Sequence, residues 1–158
     1  FLKISQKNHI IILSKTPINY LEKKINDYQL DKKRISIIES DFRDVHKYLQ
    51  ASDIGLILYN IDFSVIGRSP TKLGEYWASG IPVLSLENIG DLDFIFKKYP
   101  SNGALVKNIN NNELTVAFNK LENKVDKNLL RDSAKDYFHI DKGVQFYTNI
   151  YEEIINND

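Results

Sequence analysis

Short apolar runs alternate with longer amphipathic stretches along most of the chain. Five runs rich in β-branched residues predict strands, at 10–13, 35–38, 54–59, 81–86 and 104–106. Their hydrophobicity is continuous rather than alternating, which is typical of strands covered on both faces in a parallel sheet. The runs therefore favour an α/β protein.

The stretches between the runs have helical spacing. Apolar residues recur every three or four positions in 17–30 and 42–51, and further helices are predicted over 70–79, 91–98 and 112–122. Strands and helices that alternate in this way build a doubly wound, Rossmann-like parallel sheet.

The tail has a different pattern. Residues 126–157 contain no strand run, and helical spacing on both sides of a break at 138–141 predicts two consecutive helices. We therefore divide the chain into a Rossmann-like region, residues 1–125, and a C-terminal helical tail, residues 126–158, packed on the same domain. The tail aromatics have helical spacing and are expected in the core: Tyr137, Phe138, Phe146, Tyr147 and Tyr151.

Composition narrows the classes of function. The 158 residues are 42% hydrophobic and 27% charged, which suits one domain with a sizeable core. Basic and acidic residues number 21 each, so the net charge gives no indication of a nucleic-acid partner. The absence of cysteine excludes disulfides and thiolate zinc sites, and no apolar run is long enough to span a bilayer. We expect a cytoplasmic protein, or one peripheral on the inner face of the cell membrane.

One segment, residues 67–83, has the features of a ligand site. Ser69 is predicted to be the N-cap of a helix with Pro70 at its first position, and Gly80 followed by Pro82 ends that helix. The helix begins just after a strand and a loop, at the edge of an α/β sheet where ligands bind.

The first turn of this helix is predicted to bind a diphosphate. Its free N–H groups, around Thr71 and Lys72, form an anion site, and Lys72 and Arg68 add positive charge. Glu75 follows three residues after Lys72 and shares its face, where its carboxylate can accept hydrogen bonds from ribose hydroxyls. An ordinary exposed ion pair between Lys72 and Glu75 is the alternative. Trp77, on another face, is predicted in the core.

Residues 69–83, Ser-Pro-Thr-Lys-Leu-Gly-Glu-Tyr-Trp-Ala-Ser-Gly-Ile-Pro-Val, closely resemble the signature of family-4-type glycosyltransferases. These are retaining enzymes with two Rossmann-like domains, the GT-B architecture. The resemblance extends to the flanking elements and covers nearly the whole chain. It implies that Glu75 holds the donor ribose and that residues 69–72 lie beneath the donor phosphates.

Two further positions follow from the resemblance. The family often has another glutamate eight positions before the ribose glutamate, where it contacts the donor sugar, and this chain has Gly67 there. Asp41 and Phe42 stand where the family binds the nucleobase, at the end of the second predicted strand.

The resemblance implies an enzyme of the hexosyltransferase type, as in bacterial polysaccharide biosynthesis. It would transfer a sugar from a nucleotide-diphosphate-sugar donor to a glycan or lipid-linked acceptor. This chain would be the donor-binding, C-terminal half, inactive by itself because the acceptor side belongs to a missing N-terminal domain. We expect no cofactor and no metal, since the three histidines lie in separate elements. The alternatives are a non-catalytic Rossmann-like nucleotide-binding module and, ranked lower, a nucleotide-sugar epimerase of similar fold.

The topology adds an expectation about the start of the chain. In a Rossmann-like sheet the first strand lies in the middle. If the chain begins after that strand, the runs at 10–13 and 54–59 flank a gap. We expect residues before Phe1, because the sequence has no methionine and the front domain of the family is missing. Direct pairing of the two runs would refute this. The alternatives are that residues 1–5 form an unusual strand themselves or that the strand order is rearranged.

Overall fold

The computed structural model of the chain describes residues 1–60, 62–122 and 125–156, through which strands and helices alternate. The strands are β1 (Ile10–Leu13), β2 (Ile35–Ile38), β3 (Gly55–Ile57), β4 (Val83–Leu86) and β5 (Gly103–Val106). The helices are α1 (Ile18–Asp27), α2 (Val45–Gln50), α3 (Phe63–Ile66), α4 (Lys72–Ala78), α5 (Leu92–Lys98), α6 (Asn111–Glu122), α7 (Lys127–Phe138) and α8 (Ile140–Asn156). Turns of 3-10 helix at Lys32–Arg34 and Phe42–Asp44 precede β2 and α2.

All strand pairs are parallel, but the strands form two sheets. β1 pairs with β2, and β3, β4 and β5 pair in that order. Within the described residues no pairing joins β1 to β3, so these two strands flank a gap, as expected. We call residues 10–50, which carry the first sheet, the two-stranded region, and residues 55–138, which carry the second, the three-stranded region.

The hydrophobic core lies in the three-stranded region. Leu73 and Trp77 of α4 and Val83 and Leu84 of β4 are completely buried. Three aromatic rings meet the Trp77 indole edge-on, at centroid distances of 5.8, 5.4 and 6.0 Å: those of Phe96, Tyr99 and Phe138. Residues of α5, its C-terminal end and α7 are thereby packed around the indole of α4, which fixes the position of α4 in the core.

All five predicted strands are present, and two are shorter than predicted. The run at 54–59 forms a strand only over Gly55–Ile57, and the run at 81–86 only over Val83–Leu86. The Pro82 carbonyl accepts a hydrogen bond from the Gly55 N–H at 2.9 Å. Pro82 has no N–H of its own, so it accepts from β3 but cannot donate to it, and β4 begins at Val83.

The predicted helices are confirmed with shifted ends, and α3 is an additional one. Its N-cap is Asp62, whose carboxylate accepts hydrogen bonds from the Val65 N–H at 3.2 Å and the Ser64 hydroxyl at 2.6 Å. The hydrogen bond from Ser64 is the main cause that lowers the pKa of Asp62. An aspartate three residues before a buried valine is the sequence signal for this turn.

The tail forms two helices, α7 and α8, which meet at the extended backbone of His139, as predicted. Tyr137 and Phe138 pack against the core. The expectation that all the tail aromatics are core residues is wrong for α8, where Phe146, Tyr147 and Tyr151 are more than 60% exposed. Helical spacing identifies one face of a helix, but it does not show that another element covers that face.

The proposed division near residue 125 falls in the connection between α6 and α7. Residues 123–124 and the last two positions of the proposed tail, 157–158, lie outside the described residues. Across the ranges that are described, no helix is both long and apolar enough to cross a membrane.

Candidate functional site

The start of α4 differs from the prediction. The helix begins at Lys72, and the residue at its N-cap position is Thr71, whose side chain makes no capping hydrogen bond. Ser69 is therefore not the N-cap, and Pro70 precedes the helix rather than occupying its first position. The Ser69 hydroxyl instead donates to the Asp91 carboxylate at 2.8 Å. A serine before a proline resembles a cap in sequence, but here a tertiary partner takes the hydroxyl.

Two amides at the start of α4, those of Leu73 and Gly74, are occupied. The Leu73 N–H donates to the Pro70 carbonyl at 3.0 Å, and the Gly74 N–H donates to the Thr71 carbonyl at 3.1 Å. The amides of Thr71 and Lys72, which were predicted to bind a diphosphate, have no acceptor within the described residues, and that they bind an anion remains a prediction.

The end of α4 matches the prediction. Gly80 has a positive φ of 76° and follows the last helical turn. The Ile81 N–H donates to the Tyr76 carbonyl and the Gly80 N–H donates to the Trp77 carbonyl, both at 2.9 Å. These two bonds form a Schellman motif, which requires the left-handed backbone that glycine adopts without strain.

Gly74 brings α4 close to α7. A Cβ built at Gly74 would lie 3.0 Å from the Phe138 ring. The absence of a side chain at Gly74 therefore allows close contact with the C-terminal part of the domain.

Lys72 and Glu75 are exposed on the same side of α4. Within the described residues neither side chain forms an ion pair or a hydrogen bond, so the ion pair between them that was the alternative is not formed. A cation and a carboxylate one turn apart are thus both available to a ligand.

Both side chains line the cleft that separates the two sheets. The cleft has a volume of about 1090 Å³ and opens to solvent. β1 and the end of α2 border it on one side, and Ile54, Leu56 and α4 border it on the other. Lys72 and Glu75 therefore stand where the two regions of the chain face each other.

The loop that leads into α4 is fixed by the loop that follows β4. The Gly90 N–H donates to the Val65 carbonyl at 3.1 Å, and the Asp91 carboxylate accepts from Ser69. Gly90 has a positive φ of 51°, and a Cβ there would lie 1.4 Å from the Arg68 carbonyl oxygen. Residue 90 must therefore be glycine for the two loops to meet.

Gly90 and Asp91 were not among the predicted site residues. The available signal was a glycine between an apolar residue and an aspartate that precedes a helix, a pattern typical of a tight turn. The second oxygen of Asp91, Oδ1, is buried without a hydrogen-bond partner in the described residues. An unpaired buried oxygen lowers the stability of the fold. The hydrogen bond from Ser69 to the other oxygen, Oδ2, therefore offsets part of the cost of burying the Asp91 carboxylate.

Arg68 and Gly67 occupy the exposed part of the same loop. The Arg68 guanidinium lies over the Tyr59 ring, 5.2 Å from its centroid, and donates to the Ser64 hydroxyl at 3.2 Å. Gly67 is exposed, with no atom within 4 Å of a Cβ built on it. Neither residue lines the cleft.

Asp41 and Phe42 lie at the end of β2, in the two-stranded region. The Asp41 carboxylate accepts hydrogen bonds from the side chain and the backbone of Arg43, which lower its pKa. Phe42 is 82% exposed. Neither residue lines the cleft that Lys72 and Glu75 line. The predicted base site and the predicted ribose site therefore do not share this cleft.

Tyr76 is a cleft residue that sequence reasoning missed. Its ring lies within 2.6 Å of the position that a Cβ on Gly55 would take, so the glycine at the start of β3 makes room for it. Burial, followed by the charge of Glu75, raises the pKa of Tyr76, while a hydrogen bond from the Leu56 backbone opposes the shift.

The described residues contain no group of three or more histidine, aspartate or glutamate side chains that could hold a metal ion. His9 shares a hydrogen bond with Ser36 at 2.9 Å, and His139 lies 3.4 Å from the Asp141 carboxylate. That the protein acts without a metal remains a prediction.

No family model matches the chain. A Dictyostelium discoideum protein, chitobiosyldiphosphodolichol beta-mannosyltransferase, is 30% identical over 143 residues, which are 80% of this chain and 29% of that protein. A Plasmodium knowlesi protein, the mitochondrial ubiquinone biosynthesis protein COQ4 homolog, is 25% identical over 124 residues, which are 70% of this chain and 34% of that protein. The chain thus spans about a third of the length of these relatives, whose names describe unrelated functions.

The fold has a solved counterpart. The crystal structure of AviGT4, a glycosyltransferase involved in avilamycin A biosynthesis, aligns with 99% of this chain at a TM-score of 0.72. The alignment covers 45% of the AviGT4 chain, and the sequences are 16% identical. The chain therefore has the Rossmann-like α/β fold of a GT-B glycosyltransferase, and of the two relatives only the mannosyltransferase is of the same class as AviGT4.

Proposed function

We propose that this chain is the donor-binding half of a retaining glycosyltransferase of the family-4 type. The observation that carries the proposal is the pair Lys72 and Glu75, exposed and unpaired one turn apart, on the cleft of a domain with a glycosyltransferase fold. Lys72 would neutralise the donor diphosphate, and Glu75 would accept hydrogen bonds from the ribose hydroxyls. Ser69, Pro70 and Thr71 would shape the loop beneath the phosphates.

The donor would be a nucleotide-diphosphate-sugar and the acceptor a glycan or a lipid-linked glycan. The name of the Dictyostelium relative, which specifies mannosyl transfer to chitobiosyldiphosphodolichol, supports a hexosyl group and a lipid-linked acceptor. Catalysis in this class is mainly positioning and stabilisation of the leaving diphosphate, which a lysine can supply without a metal. The acceptor side would come from an N-terminal domain, so the chain alone should bind the donor and not transfer it.

Variants of Glu75 test this proposal most directly. Glu75→Ala should weaken binding of a nucleoside diphosphate by roughly 1–3 kcal/mol, because a charged hydrogen-bonding partner is lost. Isothermal titration against a panel of nucleoside diphosphates measures the effect and identifies the base. Glu22→Ala, on an exposed glutamate of α1, is the matched control and should bind normally.

The two side chains should affect different parts of the ligand. The loss caused by Glu75→Ala should disappear with a 2′,3′-dideoxy nucleotide, which has no ribose diol. The loss caused by Lys72→Ala should grow from nucleoside to monophosphate to diphosphate. Unchanged affinity in folded variants of both residues would contradict the proposed site.

Nucleotide binding should not require a divalent metal. We expect the affinity for the nucleoside diphosphate to be the same in excess EDTA as in magnesium or manganese, because Lys72 supplies the positive charge. A large loss in EDTA that either metal restores would refute this expectation.

Transfer itself needs the longer polypeptide. Release of sugar from a nucleotide-sugar by that polypeptide would exclude the non-catalytic binding module, and isomerised donor without transfer would indicate the epimerase. NMR of the product anomer tests retention. This test matters because the name of the Dictyostelium relative specifies a β-linked product.

A further inference from the structure

Positive charge is concentrated in the first part of the chain. Residues 1–35 contain eight lysine or arginine residues and three aspartate or glutamate residues, whereas the whole chain contains 21 of each kind. A charge asymmetry of this kind is typical of a protein that contacts an anionic partner through one part of its surface. Whether the charges form one surface depends on where the fold places them.

Arg34 gathers the turns of residues 1–9 at the beginning of the two-stranded sheet. Its guanidinium donates hydrogen bonds to the backbone carbonyls of Leu2 at 2.8 Å, of Asn8 at 2.9 Å and of Ser5. β1 and β2 are paired from their first residues, so the segments that lead into the two strands lie side by side. Lysines on these segments are therefore brought to the same end of the sheet.

Five exposed lysines stand at this end. Two lie on the turns before β1, one in the last turn of α1 and two on the 3-10 turn before β2: Lys3, Lys7, Lys24, Lys32 and Lys33. The last turn of α1 belongs here because a helix that connects two parallel strands runs back to the end where the second strand begins. We call these five residues the lysine cluster.

No lysine of the cluster has an acidic partner within the described residues. The ion pairs found there use other cations, namely Arg43, Lys47, Lys98, His139 and Lys142. Asp27 and Asp31 are close in sequence, but the Asp31 carboxylate accepts from the backbone N–H of Lys33 instead of pairing with a side chain. Like charges held together repel one another, so an anionic surface would stabilise the cluster.

Two exposed tyrosines accompany the lysine cluster. Tyr20 and Tyr28 are 54% and 70% exposed, and they lie four residues before and four residues after Lys24. That spacing places the three side chains on one stripe, and the Lys24 ammonium lies 5.8 Å from the centroid of the Tyr20 ring. Tyrosine is enriched where an apolar layer meets water, because its ring is apolar and its hydroxyl is polar.

We propose that the lysine cluster and these two tyrosines form a surface that binds the anionic headgroup layer of a lipid bilayer. Clusters of about four to eight basic residues are typical of such surfaces. A nucleic acid fits less well, because recognition of its phosphates and bases favours the arginine fork. The one arginine at this end, Arg34, is held by backbone carbonyls.

The proposed surface is distinct from the candidate nucleotide site. The lysine cluster lies where β1 and β2 begin, whereas Lys72 and Glu75 lie on a helix that follows β3. Among the residues of the surface, only Lys7 lines the cleft. Contact with a bilayer therefore need not cover Lys72 and Glu75, and the inference goes beyond the proposed function without resting on it.

Co-sedimentation with lipid vesicles tests the proposal. The 158-residue chain should bind vesicles of equimolar phosphatidylcholine and phosphatidylglycerol, and it should not bind vesicles of phosphatidylcholine alone. The bound fraction should fall as the salt concentration rises, because salt screens exposed charges. This series uses the unmodified chain, so its outcome does not depend on whether a substitution disturbs folding.

A pair of double variants locates the surface. Lys32→Glu combined with Lys33→Glu should lower the partition coefficient on anionic vesicles by on the order of tenfold or more, because two charges of the cluster are reversed. Lys97→Glu combined with Lys135→Glu, on exposed lysines of the three-stranded region, is the matched control. It changes the net charge equally and should bind like the parent chain. Circular dichroism checks that both variants are folded.

Three results would overturn the proposal. The first is no binding to anionic vesicles at low salt. The second is an equal loss in the two double variants, which would show that only net charge acts. The third is binding of RNA in preference to anionic vesicles, lost with Lys32→Glu and Lys33→Glu, which would make a nucleic acid the partner. No readout involves a nucleoside diphosphate, so this proposal and the proposed function can fail separately.

Discussion

The two-stranded and the three-stranded regions have strands of similar sequence and very different cores. β1 reads Ile-Ile-Ile-Leu and β4 reads Val-Leu-Ser-Leu, yet β4 is entirely buried and β1 is not. Between residues 10 and 50, all of which the structure describes, Ile25 is the only buried hydrophobic residue. The number of neighbouring strands and helices, rather than the hydrophobicity of the strand itself, decides how far it is buried.

The two regions also carry different parts of the candidate site. The three-stranded region fixes α4 and its leading loop through a packed core and the contact between the loops at Ser69 and Asp91. The two-stranded region carries Asp41 and Phe42 at the end of a sheet of only two strands. The affinity for a ligand that contacts both regions would depend on how the two regions are held across the cleft between them.

The largest expected effect is on the core of the three-stranded region. Leu84→Ala should lower the free energy of unfolding by about 3 kcal/mol, because a fully buried side chain leaves a cavity. Ile12→Ala should cost about 1 kcal/mol, since its site is partly open and can relax. Urea unfolding followed by the fluorescence of Trp77, the only tryptophan, measures both. Equal losses would show that the two regions share one core.

The next effect concerns the contact between the loops. Gly90→Ala should destabilise the three-stranded region by about 2 kcal/mol, because it combines a positive φ with a clash against the Arg68 carbonyl. It should also weaken nucleotide binding, since the loop that precedes Lys72 would move. Gly67→Ala is the matched control and should change stability by less than about 0.5 kcal/mol. Similar losses in the two variants would show that the loop contact does not position the site.

The smallest effect is a pH-dependent one in the turn between β5 and α6. Hydrogen bonds from the side chain and backbone of Asn108, helped by Asn110 and Lys107, lower the pKa of Glu113 to about 2. A depressed pKa means that Glu113 stabilises the fold fully above its usual value of 4.5, and that this contribution is lost as the pH falls towards 2.

Glu113→Gln should therefore lower the thermal midpoint at pH 7, and the difference from the parent chain should shrink towards pH 2. Glu22→Gln, on an exposed glutamate of the two-stranded region that makes no hydrogen bond in the described residues, is the matched control and should leave the thermal midpoint at pH 7 unchanged. A difference for Glu113→Gln that stays constant down to pH 2 would contradict the assigned hydrogen bonds.

Local pattern was enough to predict the parallel α/β fold, the order of the elements and the end of α4. These features depend on residues close in sequence: continuous apolar runs, helical spacing, and a glycine where the backbone must be left-handed. That Lys72 and Glu75 share one face also follows from helical spacing alone.

Tertiary contacts decided the rest. The hydroxyl of Ser69 binds Asp91, twenty-two positions away, instead of capping α4. The aromatic face of α8 is exposed because no element of the described chain covers it, although its spacing is that of a core helix. β1 and β3 are not paired with each other in the described residues, and no local pattern shows which strands become neighbours in a sheet. Hydrogen-bond partners and burial are properties of pairs of distant residues, so they are determined only when the chain is folded.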